Sequence, residues 1–389
     1  MTVALLDGVA RRYDWGSTSA IQQLLGVPPD GRPIAELWFG AHPDDPSGLA
    51  LDGRTLDALI ADDPRAALGD EVAAEFDGRL PYLVKILAAE KALSIQVHPS
   101  LPQARAGFAR EDAAGVARDA AWRNYRDANH KPELICALSR FEALCGFRAP
   151  ERSAALLDEL AVPELSFLVD LLRGPDSLRA AFTGLLEHQD PAALAAAVAE
   201  RGDVVEAAAH PPVDDADVRA GALRAAGLAA HDLPGDIGVV LALLLNYVAL
   251  EPGEAIFLGA GNVHAYLRGV GVEIMANSDN VLRCGLTAKH IDVPEVLAVA
   301  DFAELDDPRV AAVGGAYPTP ARDFLLSTLD LETGEPMALH DSGPCVVLCG
   351  SGQITVDRLA LASGRAAFVS ADTRVTLAGN GKAFIAAVG

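Results

Sequence analysis

The chain has 389 residues, of which 51% are hydrophobic and 22% are charged, so it can bury a large core and is not intrinsically disordered. Lys and Arg total 31 against 54 Asp and Glu, which gives a net charge of -23. Because so acidic a surface repels phosphate backbones, we expect small-molecule partners and no nucleic acid, with Lys and Arg placed wherever an anionic ligand binds.

The beginning of the chain has no basic region followed by an apolar stretch, so we expect a cytoplasmic protein. Its longest apolar run, Val239–Leu245, is too short to span a bilayer. Its five cysteines lack paired CxxC spacing, which favours free thiols in a reducing compartment. No long apolar surface stripe is evident in the sequence, so we expect a monomer without membrane contact.

Three textures follow one another along the chain. Residues 1–150 mix short strand-like runs with turns, residues 151–232 show helical periodicity, and strands with Gly turns return after Leu250. We therefore predict a mainly β protein, in which residues 1–150 and 233–320 form the catalytic β domain. Residues 151–232 are predicted to be a helical insertion, and residues 321–389 a second, smaller β unit.

The first candidate site segment is Leu93–His98, where apolar and polar residues alternate strictly. In a strand, Ser94, Gln96 and His98 share one face. This face is either solvated or the wall of a site.

Glu133 opens the apolar run that follows Asn129–Pro132. A carboxylate at the mouth of a buried strand needs a partner, because an unpaired buried charge is unfavourable. Either a Lys or Arg side chain or a metal ion satisfies that need.

A third segment, Glu251–Tyr266, reads as a turn, a strand, a Gly turn and a second strand. His264 lies three residues after Gly261, a Gly-x-x-His element that recurs in small β-barrels of the cupin type. The glycines are not a dinucleotide fingerprint, because His264 occupies the third glycine position and no helix follows. The next segment, residues 271–290, is rich in acidic, amide and basic residues and is either a solvated loop or a binding loop.

Two histidines, a glutamate and a glutamine from these segments are candidates to converge inside a barrel: His98, His264, Glu133 and Gln96. Imidazole and carboxylate ligands suit zinc, and a glutamine carbonyl oxygen is an acceptable weaker ligand.

Longer blocks of sequence resemble the type I mannose-6-phosphate isomerases (phosphomannose isomerases). In family order, these blocks are Tyr13–Ser17, Ala35–Pro43, Ser94–Pro99, Asn129–Leu134, Phe141–Arg148, Gly261–Tyr266, Ala276–Arg283 and Leu286–Lys289. The resemblance implies a cupin-type β-barrel (jelly roll) with the helical insertion and a degenerate second barrel at the C-terminus. It also implies one Zn²⁺ per chain, with Gln96, His98, Glu133 and His264 as ligands.

The resemblance further implies a phosphate site at Ser94, Arg283 and Lys289, which suits an acidic protein that must hold a dianion. Arg283 is also a candidate for stabilising negative charge on the reacting oxygens. Lys85 either extends from its strand to solvent or points into the pocket, which we favour. His130 is a candidate substrate-binding or ligand-orienting residue, or else a solvated loop residue.

The implied reaction interconverts mannose 6-phosphate and fructose 6-phosphate through a cis-enediolate, after the sugar ring opens. Moving a proton between C1 and C2 requires a base on one face of the substrate. Lys131 and Glu273 are the candidates for this base, and we favour Lys131. Asp279 and His98 are candidates for proton movement during ring opening, although a zinc-bound His98 is a poor free base.

Two other functions remain open from the sequence: a metal-dependent cupin enzyme of another class, and a non-catalytic sensor of sugar phosphates. The extra ligand Gln96 argues against an iron oxygenase with two histidines and one carboxylate. After Pro99, the run Ser100–Ala104 replaces a lysine-containing continuation that many family members carry. This departure puts substrate affinity and breadth in doubt more than the metal site.

Overall fold

Two antiparallel sheets and a group of helices make up the computed structural model, which describes residues 2–50, 53–214, 216–332, 336–339 and 343–389. The strands are β1 (Val3–Asp7), β2 (Val9–Arg11), β3 (Glu36–Gly40), β4 (Gly48–Leu49), β5 (Tyr82–Ala89), β6 (Ile95–Val97), β7 (Glu133–Ala137), β8 (Phe141–Phe147), β9 (Leu245–Leu250), β10 (Ala255–Leu258), β11 (His264–Ala276), β12 (Leu282–Gly285), β13 (Arg309–Val310), β14 (Ala316–Tyr317), β15 (Leu325–Leu331), β16 (Met337–Leu339), β17 (Cys345–Val356), β18 (Leu359–Ala362), β19 (Ala366–Val369) and β20 (Val375–Ala387).

The helices are α1 (Ala20–Leu24), α2 (Leu56–Asp62), α3 (Pro64–Leu68), α4 (Asp70–Glu75), α5 (Leu101–Ala113), α6 (Pro150–Leu160), α7 (Ser166–Leu172), α8 (Ser177–Leu186), α9 (Pro191–Ala199), α10 (Gly202–Ala209), α11 (Val218–Asp232), α12 (Gly238–Leu241) and α13 (Val293–Val299), with 3-10 turns at Pro163–Leu165 and Ala242–Leu244. Helix α9 shows residues that favour a helix N-terminus. Pro191 occupies its first turn, and the Asp190 side chain accepts a hydrogen bond from the Ala193 N–H at 3.0 Å. Among the described residues, no helix is both long enough and apolar enough to cross a membrane.

The first sheet, which we call the site sheet, has the strand order β13-β10-β7-β11-β5-β3-β2. The long strand β11 also forms pairs outside this order. Its first residues pair with β6 and β8. Strand β6 pairs in turn with β12, and β8 with β9. As a result, His264 lies opposite Gln96, and Glu273 lies opposite Lys85. Register therefore brings side chains from distant parts of the chain onto one surface.

The second sheet, which we call the C-terminal sheet, has the order β14-β15-β20-β17-β19-β1-β4, with β16 on β20 and β18 on β17. Strand β1 comes from the beginning of the chain and pairs with β19 near its end. Alternate residues of β5, including Val84 and Ile86, lie in a buried cluster with Phe368 and Phe384 of the C-terminal sheet. The residues between them, Lys85 among them, point to the opposite face of the site sheet.

The face of β6 away from the site packs on the helices, because Ile95 and Val97 belong to the large buried cluster formed with α6 to α11. Gln96, between them, points the other way. The predicted mainly β architecture is confirmed, and the structure shows that its sheets are antiparallel. The strand pairing found among the described residues closes neither sheet into a barrel. The proposed domain boundaries remain a prediction.

Candidate active site

Three buried side chains meet at one end of the site sheet. His98 is 0% exposed, Glu133 2% and His264 1%. Each histidine Nε2 lies 3.5 Å from a different oxygen of the Glu133 carboxylate. The ligand-type atoms of all three residues lie within 4.8 Å of one another, a spacing that a single metal ion can bridge.

Backbone carbonyls fix the direction of both imidazoles. Nδ1 of His98 lies 2.7 Å from the Asn280 carbonyl oxygen, and Nδ1 of His264 lies 3.0 Å from that of Asn262. Because a carbonyl only accepts, each Nδ1 carries the proton and each Nε2 turns its lone pair to the centre of the cluster. Histidines that ligate metals are held in this way.

The cluster contains buried polar atoms that no described residue satisfies. His98 Nε2 and Glu133 Oε2 have no hydrogen-bond partner among the described residues. Such atoms destabilise a fold unless something compensates them. Two imidazole nitrogens and a carboxylate are a donor set that zinc prefers, so the residues present fit this ion.

Gln96 adds a fourth group beside the cluster. Its amide nitrogen lies 3.3 Å from His264 Nε2. Rotation of the amide by half a turn exchanges its nitrogen and oxygen, and so turns the carbonyl oxygen to the same point. The structure thus brings together all four residues that the sequence nominated as metal ligands.

The electrostatics of the cluster favour the protonation states that bind metals. Burial holds the pKa of His98 well below its usual value, although Glu133 opposes this. Burial alone would raise the pKa of Glu133, but the positive charge of Lys131 and the neighbouring imidazoles hold it well below its usual value. Lys131 Nζ lies 3.4 Å from Glu133 Oε1, which places the favoured base candidate at the edge of the cluster.

A second polar group lies farther along the same face. Lys85 Nζ lies 2.9 Å from Glu273 Oε2 and 3.7 Å from Glu36 Oε1. The Tyr266 hydroxyl donates to the other oxygen of Glu273 at 2.9 Å, and Trp38 Nε1 donates to Glu36 Oε2 at 2.8 Å. Lys85 is therefore buried and points into the site, rather than extending to solvent.

Within this group, charge and burial act on the two central residues differently. Burial opposes the charged form of Lys85, but the carboxylates of Glu273 and Glu36 raise its pKa, so the ammonium persists. Burial also raises the pKa of Glu273, which Lys85 only partly offsets. Since both oxygens of Glu273 already have partners, this carboxylate is held in place rather than free to move a proton.

Three cations form a separate group: Arg283, Lys289 and a residue that the sequence analysis missed, Arg126. Arg283 lies opposite Gln96 in the β12–β6 pair. Burial and then the charge of Arg126 lower the pKa of Arg283, and Arg283, burial and Arg126 together lower the pKa of Lys289. No carboxylate of the described residues forms an ion pair with any of the three. Cations that repel one another without an acidic partner are suited to an anionic ligand.

The remaining predicted residues lie in different surroundings. Ser94 is half-buried just before β6. His130 Nε2 lies 2.9 Å from Oδ2 of Asp323, which belongs to the segment before β15. Asp279 Oδ2 lies 3.8 Å from Nε2 of His42.

His42, like Arg126, was missed from the sequence. It lay within the block Ala35–Pro43, but nothing in the spacing of that block distinguishes a site histidine from a packed one. Arg126 lies in an irregular segment, where no periodic pattern assigns a direction to a side chain.

Comparisons with known proteins show which family this chain resembles. The family model described as "Phosphomannose isomerase type I, catalytic domain" matches residues 3–150. Mannose-6-phosphate isomerase of Escherichia coli (strain K12) is 38% identical, covering 96% of each chain. The protein of the same name from Bos taurus is 36% identical over 76% of this chain and 72% of its own.

Solved structures give the same result over the full length of the chain. A point variant of phosphomannose isomerase from Salmonella typhimurium matches with a TM-score of 0.89 and 34% identity, covering 100% of both chains. A zinc-bound holo structure of mannose 6-phosphate isomerase matches with a TM-score of 0.88 and 34% identity, also over 100% of both chains.

Proposed function

The chain belongs to the type I phosphomannose isomerase family, and we propose that it interconverts mannose 6-phosphate and fructose 6-phosphate with a single zinc ion held by Gln96, His98, Glu133 and His264. It is a zinc-dependent isomerase with a cupin-type fold. The observation that carries the ligand assignment is the pair of buried atoms, His98 Nε2 and Glu133 Oε2, that no described residue satisfies. When bound, zinc would supply a Lewis acid that can polarise the sugar carbonyl.

We assign the substrate phosphate to the cations Arg283, Lys289 and Arg126. Their mutual repulsion is relieved by a dianion, and hydrogen bonds from charged donors to phosphate are among the strongest in proteins. Arg283 pairs in the backbone with Gln96, so its guanidinium extends from a strand next to the metal ligands. From that position we assign it a second role, the stabilisation of negative charge as it develops on the substrate oxygens.

We assign the transfer of a proton between C1 and C2 of the sugar to Lys131, whose neutral amine is the form that accepts the proton. Its Nζ lies beside a proposed metal ligand, Glu133, at the end of the site where the reacting carbons must lie. Glu273, the other candidate, is occupied by Lys85 and Tyr266. We propose that the Lys85–Glu273 pair orients the sugar hydroxyls rather than moving the C1–C2 proton. Because an aldose and a ketose interconvert by this proton transfer, the intermediate is an enediolate.

The finer points of assembly and location are also proposals. We propose a monomer, since the large exposed hydrophobic residues, such as Tyr13, Trp122 and Val313, are scattered along the sequence. We propose a reducing compartment, because the five cysteines are all buried and their sequence spacing does not suggest a disulfide framework. Light scattering on the purified protein tests the first proposal.

The test of the proposed function is a metal analysis combined with an assay of fructose 6-phosphate formed from mannose 6-phosphate. We expect about one zinc per chain, by the ligand count of a single zinc site, and activity that chelation removes and zinc restores. Bound zinc without turnover would keep the metal site but reject the substrate. Full activity in metal-free protein would reject the four-ligand assignment.

A further inference from the structure

His42 is a buried histidine at the active site that the mechanism above does not use. It follows β3 by two residues and is 3% exposed. Its ring meets the Trp38 ring edge-on, with centroids 5.1 Å apart. The Asp44 N–H donates to Nδ1 of His42 at 3.3 Å, so Nδ1 is an acceptor and the proton of the neutral ring is on Nε2.

That Nε2–H faces the carboxylate of Asp279, at 3.8 Å from Oδ2. Asp279 is half-exposed, with His42 on its buried side. Its backbone is fixed, because its N–H donates to Asp127 Oδ2 at 2.7 Å, and the side chain of the next residue, Asn280, donates to the carbonyls of Asp127 and Asn129. A small rotation of the Asp279 side chain shortens the separation to a hydrogen bond, as happens at many active sites when substrate binds.

The surroundings keep His42 neutral. Burial lowers its pKa, and the ammonium groups of Lys85 and Lys131 act in the same direction, whereas Asp279 and Asp44 act against it. In a neutral histidine whose Nδ1 accepts a hydrogen bond, Nε2–H is the one ring N–H that can donate.

We propose that His42 is a positioning residue, which holds the Asp279 carboxylate in place for the proton transfer that opens the sugar ring. This inference rests on the proposed function. One Asp279 oxygen takes the proton from O1, the O1 electron pair forms the C1 carbonyl, and the C1–O5 bond breaks with its electrons going to O5. The same proton then passes from Asp279 to O5, so no net proton is gained or lost. His42 stays neutral throughout and binds the other oxygen of Asp279.

Paired substitutions at His42 separate this role from packing. Methionine is of similar size but has no donor, and glutamine places an N–H where Nε2 lies. We expect His42→Met to lower kcat about tenfold, with KM changed by less than about twofold, because outer hydrogen bonds to catalytic groups have effects of this order. His42→Gln should recover most of the loss. The matched control is His231→Met, at an exposed histidine beside Asp232.

A double-mutant cycle ties the effect to Asp279. We expect Asp279→Asn to lower kcat about 100-fold, as for loss of an acid–base group. His42→Met should add nothing in the Asp279→Asn background, because it acts only through that carboxylate. In both single variants, the kinetic isotope effect on kcat with mannose 6-phosphate deuterated at C2 should be at or near one, since ring opening is then the slow step.

Four results would overturn the proposal: near-normal kcat in His42→Met, equal losses in the Met and Gln variants, multiplicative losses in the double variant, or an isotope effect larger than that of the unaltered enzyme. Zinc content and melting temperature of each variant verify that the fold is intact. Failure of the unaltered enzyme to convert mannose 6-phosphate would instead reject the proposed function, so the two failures are distinguishable.

Discussion

Each histidine of the proposed zinc site is oriented by a backbone carbonyl, of Asn280 for His98 and of Asn262 for His264, so its orientation does not require the metal. For that reason we expect His264→Ala to fold but to lose zinc and activity together. Metal analysis and the isomerase assay check this, with His231→Ala as the control at an exposed histidine. Stoichiometric zinc in His264→Ala would remove His264 from the ligand set.

Substitutions among the three cations can distinguish effects on substrate binding from effects on turnover. We expect Arg283→Ala to retain zinc but to lose turnover about 100-fold, the size of effect seen when a group stabilising transition-state charge is removed. Arg126→Ala should raise KM about 10- to 100-fold with little change in kcat, because a charged hydrogen bond to phosphate contributes roughly 1.5–3 kcal/mol. Arg105→Ala, at an exposed arginine of α5, is the control. An unchanged KM in Arg126→Ala would exclude this residue from the phosphate site.

The assignment of the C1–C2 base is also tested by one comparison. We expect Lys131→Met to lower kcat by about 100-fold or more, as for loss of an acid–base group, with zinc retained. Steady-state kinetics of Lys131→Met are compared with those of Glu273→Gln, a variant that keeps the proposed C1–C2 base. If Glu273→Gln is the more damaging change and Lys131→Met is mild, the two roles are reversed.

For single residues, the sequence predicts which side chains belong to the site better than it predicts which neighbours they contact. Strand alternation placed Gln96 and His98 on one face, and the structure brings them beside Glu133 and His264. Sequence alone could not show that Glu273 is tied to Lys85, because that contact depends on pairing between strands 188 positions apart. His42 and Arg126 were missed because both lie in irregular segments, where no period relates neighbouring side chains.

At the scale of elements, a buried ion pair joins the helices to the site sheet. Arg224 of α11 lies in a bidentate contact with Glu142 of β8, with Nη2 3.0 Å from Oε2, and Tyr247 of β9 donates to the same carboxylate at 2.6 Å. Both charged residues are buried. Breaking such a pair leaves a charge without a partner.

We therefore expect Glu142→Ala to lower the free energy of unfolding by about 3–5 kcal/mol, the range for loss of one partner from a buried ion pair. Urea unfolding measures this. The control is Arg219→Ala, which removes the half-exposed ion pair with Asp203 on the helices and should change stability by less than about 1 kcal/mol. A loss below that limit in Glu142→Ala would mean that the interior at this point is well solvated.

The extents of the elements follow only partly from the sequence. The second strand predicted within Glu251–Tyr266 is in the structure the beginning of β11, which runs on from His264 to Ala276. Its unbroken continuation to Ala276 was not predicted, because the strand is irregular between Tyr266 and Arg268 and Gly269 has φ +121°. A Cβ at Gly269 would lie 2.7 Å from the Arg140 carbonyl oxygen, so close backbone approach, not a turn, requires this glycine.

At the scale of the whole molecule, the proposed zinc ligands tie together strands β6, β7 and β11, which are distant in sequence. A ligand that binds only the folded state stabilises it by about 4 kcal/mol at 1,000 times its dissociation constant. We therefore expect chelation to lower the melting temperature, and added zinc to restore it, as followed by scanning calorimetry. His264→Ala should show neither response. A melting temperature insensitive to chelation in the unaltered protein would contradict a tightly held ion.

The order in which the C-terminal sheet is assembled has a consequence for synthesis on the ribosome. β1 pairs with β19, and the Thr2 N–H donates to the Ser370 hydroxyl 368 positions away. At about 5–20 residues per second, β1 emerges tens of seconds before its partner exists. During that interval its backbone groups resemble a sheet edge open to other chains. The first strand of the nascent protein is therefore open to pairing with other chains until β19 has been synthesised.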